Sequence, residues 1–365
     1  MEEQKIKYLS FGSPLMDIIG DVDSNFIEEN NIELNSTNHI KIKEVKWFDY
    51  FETQCNVTYL PGGCQFNAMR VFNWMLPNKT KDDVTAFLGS VGSDHYGAIY
   101  ENLLVNEHIV PILEPIDKNL TGVCLVVCNN RDRAHFTDLA ASTMISDEFV
   151  DRFWNKFKDV KLIYTELFIL KSKREITFKL ANLGLKDDCI YGFNLPSFFF
   201  IENFFKDILD LISYADIVFS NDDEAQLFCL KYGLLSDGSI EGRIKGLVKL
   251  PKRNKNKKRI FVITAGPNPA WVAEYDFKSE KITFCKEFPV RFVEQENIID
   301  TNGAGDSFSG GFLSQFMKGK SLDQCMIAGH WAASYIIQKR GCQIPAEVNY
   351  APENSDNQNL NDKNP

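Results

Sequence analysis

The sequence predicts an α/β protein in which a mostly parallel central sheet is covered by helices on both faces. From residue 161 onward, brief apolar runs alternate with helical segments, and polar, glycine or proline residues follow each run. That alternation is typical of βαβ units, whose buried strands are short and apolar. The chain has 365 residues, 44% hydrophobic and 25% charged, which is enough to build a sizeable core.

The first half of the chain contains fewer regular segments. Residues 6–12 predict a strand that leads into a tight loop, and a mixed segment extends to about residue 60. Paired glycines then precede a predicted helix over 65–75, and residues 84–89 predict a strand that ends in glycine. Residues 122–128 predict an antiparallel strand that lies partly outside the main sheet. The later strands are predicted at 162–164, 190–194, 217–220 and 260–264.

Polar or glycine residues follow three of these later strands. They are Asn194, Asn221, Thr264 and Gly266. In open α/β sheets, ligands bind at the carboxyl ends of the strands. The sequence therefore predicts a binding site along this edge.

The net charge of −10 argues against a nucleic-acid-binding protein, which normally carries a basic domain. The basic run 252–259 is interpreted as a solvated loop, with nuclear targeting as the alternative. Nine cysteines without a C-x-x-C pair favour a reducing compartment, and Cys124 and Cys128 fit one buried strand face. No apolar run is long enough to cross a membrane, so a cytoplasmic location is expected.

The most specific motif is the run from Ile298 to Phe312, in which a Gly303-Ala304-Gly305 turn precedes a helix. Backbone N–H groups at a helix start carry no intrahelical partner and form an anion hole. We expect the amides of these three residues to stabilise charge on a transferring phosphoryl group. Asp306 beside them is well placed to take a proton from an attacking hydroxyl. The alternative is that Asp306 only caps the helix.

A second motif, Pro61-Gly62-Gly63-Cys64-Gln65-Phe66-Asn67, places paired glycines before a helix. Glycines allow a ligand to approach the backbone closely, and Asn67 offers both a donor and an acceptor. Asp17, after the first strand, can accept hydrogen bonds from two neighbouring hydroxyls. The alternative interpretation is an ordinary turn and a surface acid.

A third motif, Asn221-Asp222-Asp223-Glu224, suits Mg²⁺, which binds through few carboxylates together with phosphate oxygens. A capping box between Asn221 and Glu224 fits the same spacing. Neither interpretation excludes the other. The five histidines lie in no metal-ligand spacing.

Along the chain, the paired-glycine motif comes first, the Asn-x-x-Glu motif follows and the glycine-rich run at 298–312 comes last. In that order, the three motifs resemble the ribokinase-like (pfkB) kinase family. The resemblance covers residues 8–345 and is most specific in the late motif, Asp-Thr-x-Gly-Ala-Gly-Asp at 300–306. Softer matches extend to the adenosine-kinase branch of that family. They lie at residues 12–18, 131–141, 193–195 and 329–334.

The resemblance implies a kinase domain over residues 1–350, with a small β-rich lid from about residues 17–65 and 117–141. Residues 351–365 are expected to be a disordered polar tail. The implied reaction transfers phosphate from Mg-ATP to the 5′-hydroxyl of adenosine, giving AMP and ADP, as in purine salvage. A monomer without nucleic-acid or membrane partners is expected.

The resemblance also implies residue roles, with Asp306 as the base, Gly303–Gly305 as the anion hole and Arg133 reaching the phosphates on closure. Glu224 would lie near Mg²⁺. The residues expected around the nucleoside are Asp17, His39, Gly62, Gly63, Asn67, Phe168 and Asn302. The residues expected around ATP are Asn194, Asn221, Glu224, Thr264, Gly266, Gln295 and His330.

Four residues depart from the pattern of the adenosine-kinase branch. They are Ser13, Cys64, Phe66 and Glu166, of which the last replaces an expected glycine near the base pocket. An enlarged or altered base pocket is therefore a hypothesis. Alternative functions are a related kinase of another nucleoside or a free sugar, and a non-catalytic nucleotide-binding regulator.

Overall fold

The structure is a computed structural model that describes residues 5–34, 36–129, 132–234, 237–348 and 350. The predicted polar tail at 351–365 lies outside the described residues. The chain forms two sheets, one of nine strands and one of five.

The nine-stranded sheet is the body of the molecule. Its strands are β1 (Tyr8–Phe11), β5 (Thr85–Gly92), β6 (Ile109–Ile116), β9 (Leu162–Thr165), β10 (Ile190–Asn194), β11 (Ile217–Asn221), β12 (Arg259–Ala265), β13 (Asn268–Asp276) and β14 (Lys281–Phe288). Their order across the sheet is β14-β13-β12-β11-β10-β9-β1-β5-β6. The pairs from β12 to β6 are parallel, whereas β13 and β14 extend one edge as antiparallel strands. The predicted mostly parallel sheet is confirmed.

The five-stranded sheet, called the second sheet below, draws on two separate stretches of chain. Its strands are β2 (Leu15–Asp21), β3 (Thr37–His39), β4 (Thr58–Gly62), β7 (Gly122–Asn129) and β8 (Asp132–Asp138). Their order is β3-β8-β7-β2-β4. Residues 122–128, predicted to lie partly outside the main sheet, belong wholly to the second sheet as β7, which pairs antiparallel with β8 but parallel with β2.

Twelve α-helices cover the sheets within the described residues. They are α1 (Ser24–Glu29), α2 (Phe48–Gln54), α3 (Cys64–Met75), α4 (His95–Asn106), α5 (Asp147–Phe153), α6 (Leu170–Leu183), α7 (Phe198–Asn203), α8 (Phe205–Tyr214), α9 (Asp222–Tyr232), α10 (Ile240–Leu247), α11 (Ala304–Phe316) and α12 (Leu322–Ile336). The helix predicted at 65–75 is α3.

Successive strand residues point to opposite faces, so the nine-stranded sheet has a core on each side. Leu9 and Ile163 belong to the core under α5, α6, α8, α9 and α10. Tyr8 and Tyr164 belong to the core under α3, α11 and α12. A third core lies between the second sheet and α1, α2 and α4.

Helix α11 lies against α3 and α12 through two adjacent glycines. A Cβ atom on Gly310 would lie 2.3 Å from the carbonyl oxygen of Ala68 in α3. One on Gly311 would lie 2.7 Å from the carbonyl oxygen of Ala328 in α12. This close backbone approach fixes the glycine-rich start of α11 against the start of α3.

The structure corrects two interpretations of the sequence. Residues 15–21 form strand β2, where the sequence predicts a loop and a mixed segment. The basic run is not a simple solvated loop, because Lys252 and Lys257 pair with the buried carboxylate of Asp216 at 2.6 Å each. Arg259 is fully buried and donates to backbone carbonyl oxygens, including that of Ile212 at 2.7 Å. Two cations of the run therefore neutralise an acid in the core, whereas Arg253, Lys255 and Lys258 are exposed.

Cys124 and Cys128 lie on one face of β7 with Ile19 and Leu60, as predicted. All nine cysteines are free thiols. Within the described residues, no helix has both the length and the apolar character needed to span a bilayer.

Candidate active site

Asp306 lies in the first turn of α11 without capping that helix. The N-cap residue is Gly303, with φ +73°, and the helix start has no side-chain cap. One carboxylate oxygen of Asp306 instead accepts a hydrogen bond from Asn67 Nδ2 at 3.2 Å. Burial raises the pKa of Asp306 to about 6, against the lowering effect of bonds from Asn67 and Cys64. The alternative that Asp306 only caps the helix is therefore wrong.

The turn before α11 gives a smaller set of free amides than the sequence predicts. Ala304 N–H already donates to the Thr301 carbonyl oxygen at 3.3 Å, which corrects its assignment to the anion hole. The N–H groups of Gly305 and Asp306 fall in the first turn, where a helix supplies no acceptors. A Cβ on Gly305 would meet nothing within 4 Å, so the space beside the α-carbon of this residue is open. The helix start remains a suitable anion site.

Asp17 and the paired glycines come together on one face of the second sheet. A Cβ on Gly62 would lie 2.1 Å from Asp17 Oδ2, so only glycine allows the carboxylate to lie against this backbone. Gly63 has φ +102° and caps α3 without a side chain. Tyr100 Oη joins the two strands by accepting from the N–H groups of Leu15 and Gly62, at 2.8 Å each.

Asp17 is half-buried rather than a surface acid. Burial raises its pKa to about 8, and the charges of Asp300 and Asp306 add to this effect. A carboxyl group that titrates near neutral pH is typical of functional sites. Asp17, Asn67 and Asp306 thus approach one another from three different elements.

Asn194 lies at the end of β10, next to α11. Its side-chain oxygen accepts hydrogen bonds from Tyr164 Oη and from Ser309 Oγ, the latter at 3.2 Å. Because both bonds use the oxygen, the NH₂ group of Asn194 must be the free end of the amide. That orientation suits a phosphate oxygen.

Asn221 and Glu224 form the capping box of α9, so the structural interpretation of this motif is confirmed. Glu224 Oε2 accepts from Asn221 N–H at 3.0 Å. Burial raises the pKa of Glu224 to about 7, which the charge of Asp223 reinforces and the bonds from Asn221 oppose. The second carboxylate oxygen is not used by the box. The described residues contain no group of three potential metal-ligating side chains.

Thr264 lies near the end of the neighbouring strand β12, and Gly266 directly follows that strand at the same edge. Thr264 pairs with Asn221 across the sheet and donates its hydroxyl to the Ser220 carbonyl oxygen at 3.3 Å. Gly266 has φ +58°, and a Cβ there would meet nothing within 4 Å. The rim predicted from Asn194, Asn221, Thr264 and Gly266 is therefore continuous and open.

Arg133 connects the second sheet to the start of the late motif. Its guanidinium forms an ion pair with Asp300 and lies 3.5 Å from Thr301 Oγ1. Asp300 also accepts from the N–H of Gly341 at 2.9 Å. Arg133 is thus held at the junction between the second sheet and the segment before α11. Gln295 lines the same junction, in a cavity of about 340 Å³ that Arg133 and Asp300 border.

Three other predicted residues have different settings. Phe168 is half-buried and packs edge to face on Phe200 with ring centroids 5.2 Å apart, as an aromatic wall would. His330 is 8% exposed and packs edge to face on Phe308 between α11 and α12. Burial lowers its pKa to about 4, so it is neutral. The backbone of His39 pairs in β3 beside Thr137.

Sequence reasoning missed His135, whose Nε2 lies 3.3 Å from Asn302 Oδ1. This contact joins β8 to the turn before α11. It involves Asn302, one of the residues predicted to lie around the nucleoside. Arg133 and His135 are two apart on one strand, so they share a face. A strand prediction over residues 132–138 would have placed Arg133 and His135 on the same face from the sequence alone.

The comparisons with known proteins agree with this arrangement. A family model described as pfkB family carbohydrate kinase matches residues 10–349. Adenosine kinase 1 of Arabidopsis thaliana is 31% identical over 345 residues, which cover 94% of this chain and 97% of the relative.

Two solved structures have a similar fold. Anopheles gambiae adenosine kinase, in complex with P1,P4-di(adenosine-5) tetraphosphate, superposes with a TM-score of 0.84 at 26% identity, covering 96% of this chain and 100% of that one. Adenosine kinase from Schistosoma mansoni, in complex with adenosine and AMP, has a TM-score of 0.82 at 25% identity, covering 96% and 100%. With its sheet, its glycine-rich helix start and these relatives, the chain belongs to the pfkB family of carbohydrate kinases.

Proposed function

We propose that this protein is an adenosine kinase, which transfers the γ-phosphoryl group of ATP to the 5′-hydroxyl of adenosine and releases AMP and ADP. The observation that carries the proposal is the Asp306 carboxylate, which is bonded to Asn67 and does not cap α11. The related adenosine kinases, two of them with adenosine-containing ligands, support this choice of substrate.

In the proposed reaction, Asp306 accepts the proton of the 5′-hydroxyl as its oxygen attacks the γ-phosphorus. A pKa near 6 leaves Asp306 ionised at neutral pH and basic enough to act. Asn67 holds the carboxylate in position, and Asp17, with Gly62, Gly63 and Asn302, would hold the ribose. Phe168 would flank the base.

The amides at the start of α11 would stabilise the charge on the transferring group. Asn194 would direct its NH₂ group to the phosphates, and Asn221, Thr264 and Gly266 would line the rest of the ATP site, with Gln295 and His330 as further candidates. Bound Mg²⁺ would neutralise phosphate charge. Glu224 offers one unused carboxylate oxygen for that ion or its waters, which fits the way Mg²⁺ is bound beside phosphates.

We further propose that the second sheet acts as a lid, with His39 and Arg133 closing over bound substrates. All proposed residues come from one chain, so a monomer can hold both substrates. Nine free thiols favour a reducing compartment such as the cytoplasm.

The test offers Mg-ATP with adenosine, other nucleosides, ribose or fructose, and measures both products by chromatography. We expect AMP and ADP from adenosine in equal amounts. In Asp306→Asn, we expect kcat to fall about 10²- to 10⁴-fold. Calorimetry should show ATP affinity unchanged within about threefold, since the variant removes no phosphate donor. Activity on a sugar alone would favour the alternative kinase, and full activity in Asp306→Asn would rule out its role as base.

A further inference from the structure

Glu166 is a buried acid next to the proposed nucleoside site. It follows β9 directly, is 5% exposed, and donates its N–H to the Phe11 carbonyl oxygen at 2.9 Å. Its Oε2 accepts the N–H of Ser13 at 3.0 Å. A Cβ on Gly12 would lie 2.8 Å from the same oxygen, so the turn is shaped around this carboxylate.

The atoms around Glu166 are mostly hydrogen-bond acceptors. Gln65 donates its Nε2 to the Thr165 carbonyl oxygen, which leaves its Oε1 as the free end, and this atom is buried without a partner. The Ser13 hydroxyl is buried close enough to the Glu166 carboxylate to help lower its pKa, and the hydroxyl oxygen accepts no hydrogen bond. Glu166 Oε1 makes no hydrogen bond, and no cation pairs with it, among the described residues.

Burial without a cation raises the pKa of Glu166 to about 7; bonds from Ser13 lower it and the charge of Asp306 raises it. Buried acceptors without donors cost free energy, and a bound group that supplies N–H donors removes that cost. The cluster of Ser13, Gln65 and Glu166, called the acceptor cluster below, is therefore suited to a ligand that donates hydrogen bonds.

The acceptor cluster borders the space that the nucleoside would occupy. Gln65 follows Cys64 in the first turn of α3, directly after Gly63. The negative charges of Asp306, Glu166, Asp17 and Glu224 all raise the pKa of the Cys64 thiol, so Glu166 shares the surroundings of Cys64 with the proposed catalytic and ribose-binding acids. Phe168, the proposed wall for the base, lies two residues after Glu166.

We propose that Glu166 is a specificity-determining residue, whose carboxylate, with the Gln65 side-chain oxygen and the Ser13 hydroxyl, accepts hydrogen bonds from an amino-substituted purine base. The inference rests on the proposed nucleoside kinase function. A purine with a carbonyl group at this edge would set acceptor against acceptor and bind poorly. Glu166 thus fills the base pocket and makes it selective, rather than enlarging it.

The test measures kcat/KM and the calorimetric Kd of the wild type and of Glu166→Gln. Each protein is assayed with adenosine, inosine, purine riboside and 2-aminopurine riboside. In Glu166→Gln, Ser13 N–H holds the new side-chain oxygen, so an NH₂ donor faces the ligand. We expect the ratio of adenosine to inosine to fall roughly 10- to 100-fold, with purine riboside changed by less than about threefold. Comparison of 2-aminopurine riboside with adenosine shows whether the acceptor cluster binds an amino group at C2 or at C6.

Glu114→Gln is the matched control, since Glu114 accepts from the N–H and hydroxyl of Ser146 at 2.5 and 2.8 Å. It should leave the ratio unchanged. A folded Glu166→Gln with an unchanged ratio overturns the inference, and so does a wild type that treats adenosine and purine riboside alike. If Glu166→Gln does not fold, Gln65→Met should lower the preference for adenosine over purine riboside. Absence of any product from adenosine would instead refute the proposed function.

Discussion

At the scale of single residues, burial sets the chemistry of the candidate site. Asp306 keeps a pKa near 6 because desolvation outweighs its bond from Asn67. An exposed aspartate titrates near pH 4 and would be a weaker base. The same desolvation disfavours the ionised form of the site acids. A carboxylate whose pKa is raised for proton transfer is therefore less stable in its charged form.

The first prediction concerns the pH dependence of the reaction. The base must be ionised, so kcat/KM should fall about tenfold per pH unit below pH 6, where Asp306 is protonated. Initial rates with adenosine from pH 5 to 9 measure this profile. The residual activity of Asp306→Asn should lack the inflection. A wild-type profile that stays level down to pH 5 would contradict the assignment of Asp306.

At the scale of elements, the position of α11 depends on contacts that only glycine permits. Gly310 and Gly311 bring its backbone against α3 and α12, which places Asn67 and Asp306 within hydrogen-bond distance. The ion pair of Arg133 with Asp300 and the contact of His135 with Asn302 join β8 to the turn before the same helix.

The second prediction is that Gly310→Ala destabilises the protein. The added methyl group would lie 2.3 Å from the Ala68 carbonyl oxygen, so α3 and α11 must move apart. We expect a loss of about 1–3 kcal/mol in the free energy of unfolding, measured with urea. Gly305→Ala in the same helix meets nothing within 4 Å and should be neutral or slightly stabilising. Equal effects of the two substitutions would argue against the packing explanation.

At the scale of the whole molecule, one buried carboxylate ties the first strand to the C-terminal part of the chain. Asp83 accepts from Lys7 at 2.8 Å and from Lys318 at 2.7 Å, and also from Tyr8 Oη at 2.8 Å. Its side chain is 1% exposed. Burial alone would raise the pKa of Asp83, but bonds from Lys318 and Lys7 outweigh it and hold the pKa well below its ordinary value.

The third prediction is that Asp83→Asn lowers the free energy of unfolding at pH 7 by about 1–3 kcal/mol, because it breaks a buried charge network whose lysines are partly exposed. A depressed pKa means that the contribution is present above pH 4 and declines as pH falls further. The difference between variant and wild type in urea unfolding should therefore shrink at pH 3. Asp188→Asn removes an exposed partner of Lys161 and should cost less than about 1 kcal/mol.

Much of the fold could be predicted from the sequence because it depends on local pattern. The runs at 162–164, 190–194, 217–220 and 260–264 became β9 to β12 almost unchanged. The sequence pattern does not predict strand β2, because Asp17, Gly20 and Asp21 interrupt its apolar residues. The antiparallel edge strands β13 and β14 were not identified either.

The sequence by itself determined the parallel sheet, the glycine-rich start of α11 and the acid beside it, because periodicity and turn chemistry act between neighbours in the chain. Only the tertiary structure decided which distant groups meet: Asp306 with Asn67, Arg133 with Asp300, Lys252 with Asp216, and Glu166 with Ser13. Partners so far apart in the chain are chosen by packing, and burial at those contacts then sets the pKa values. No local pattern carries that information.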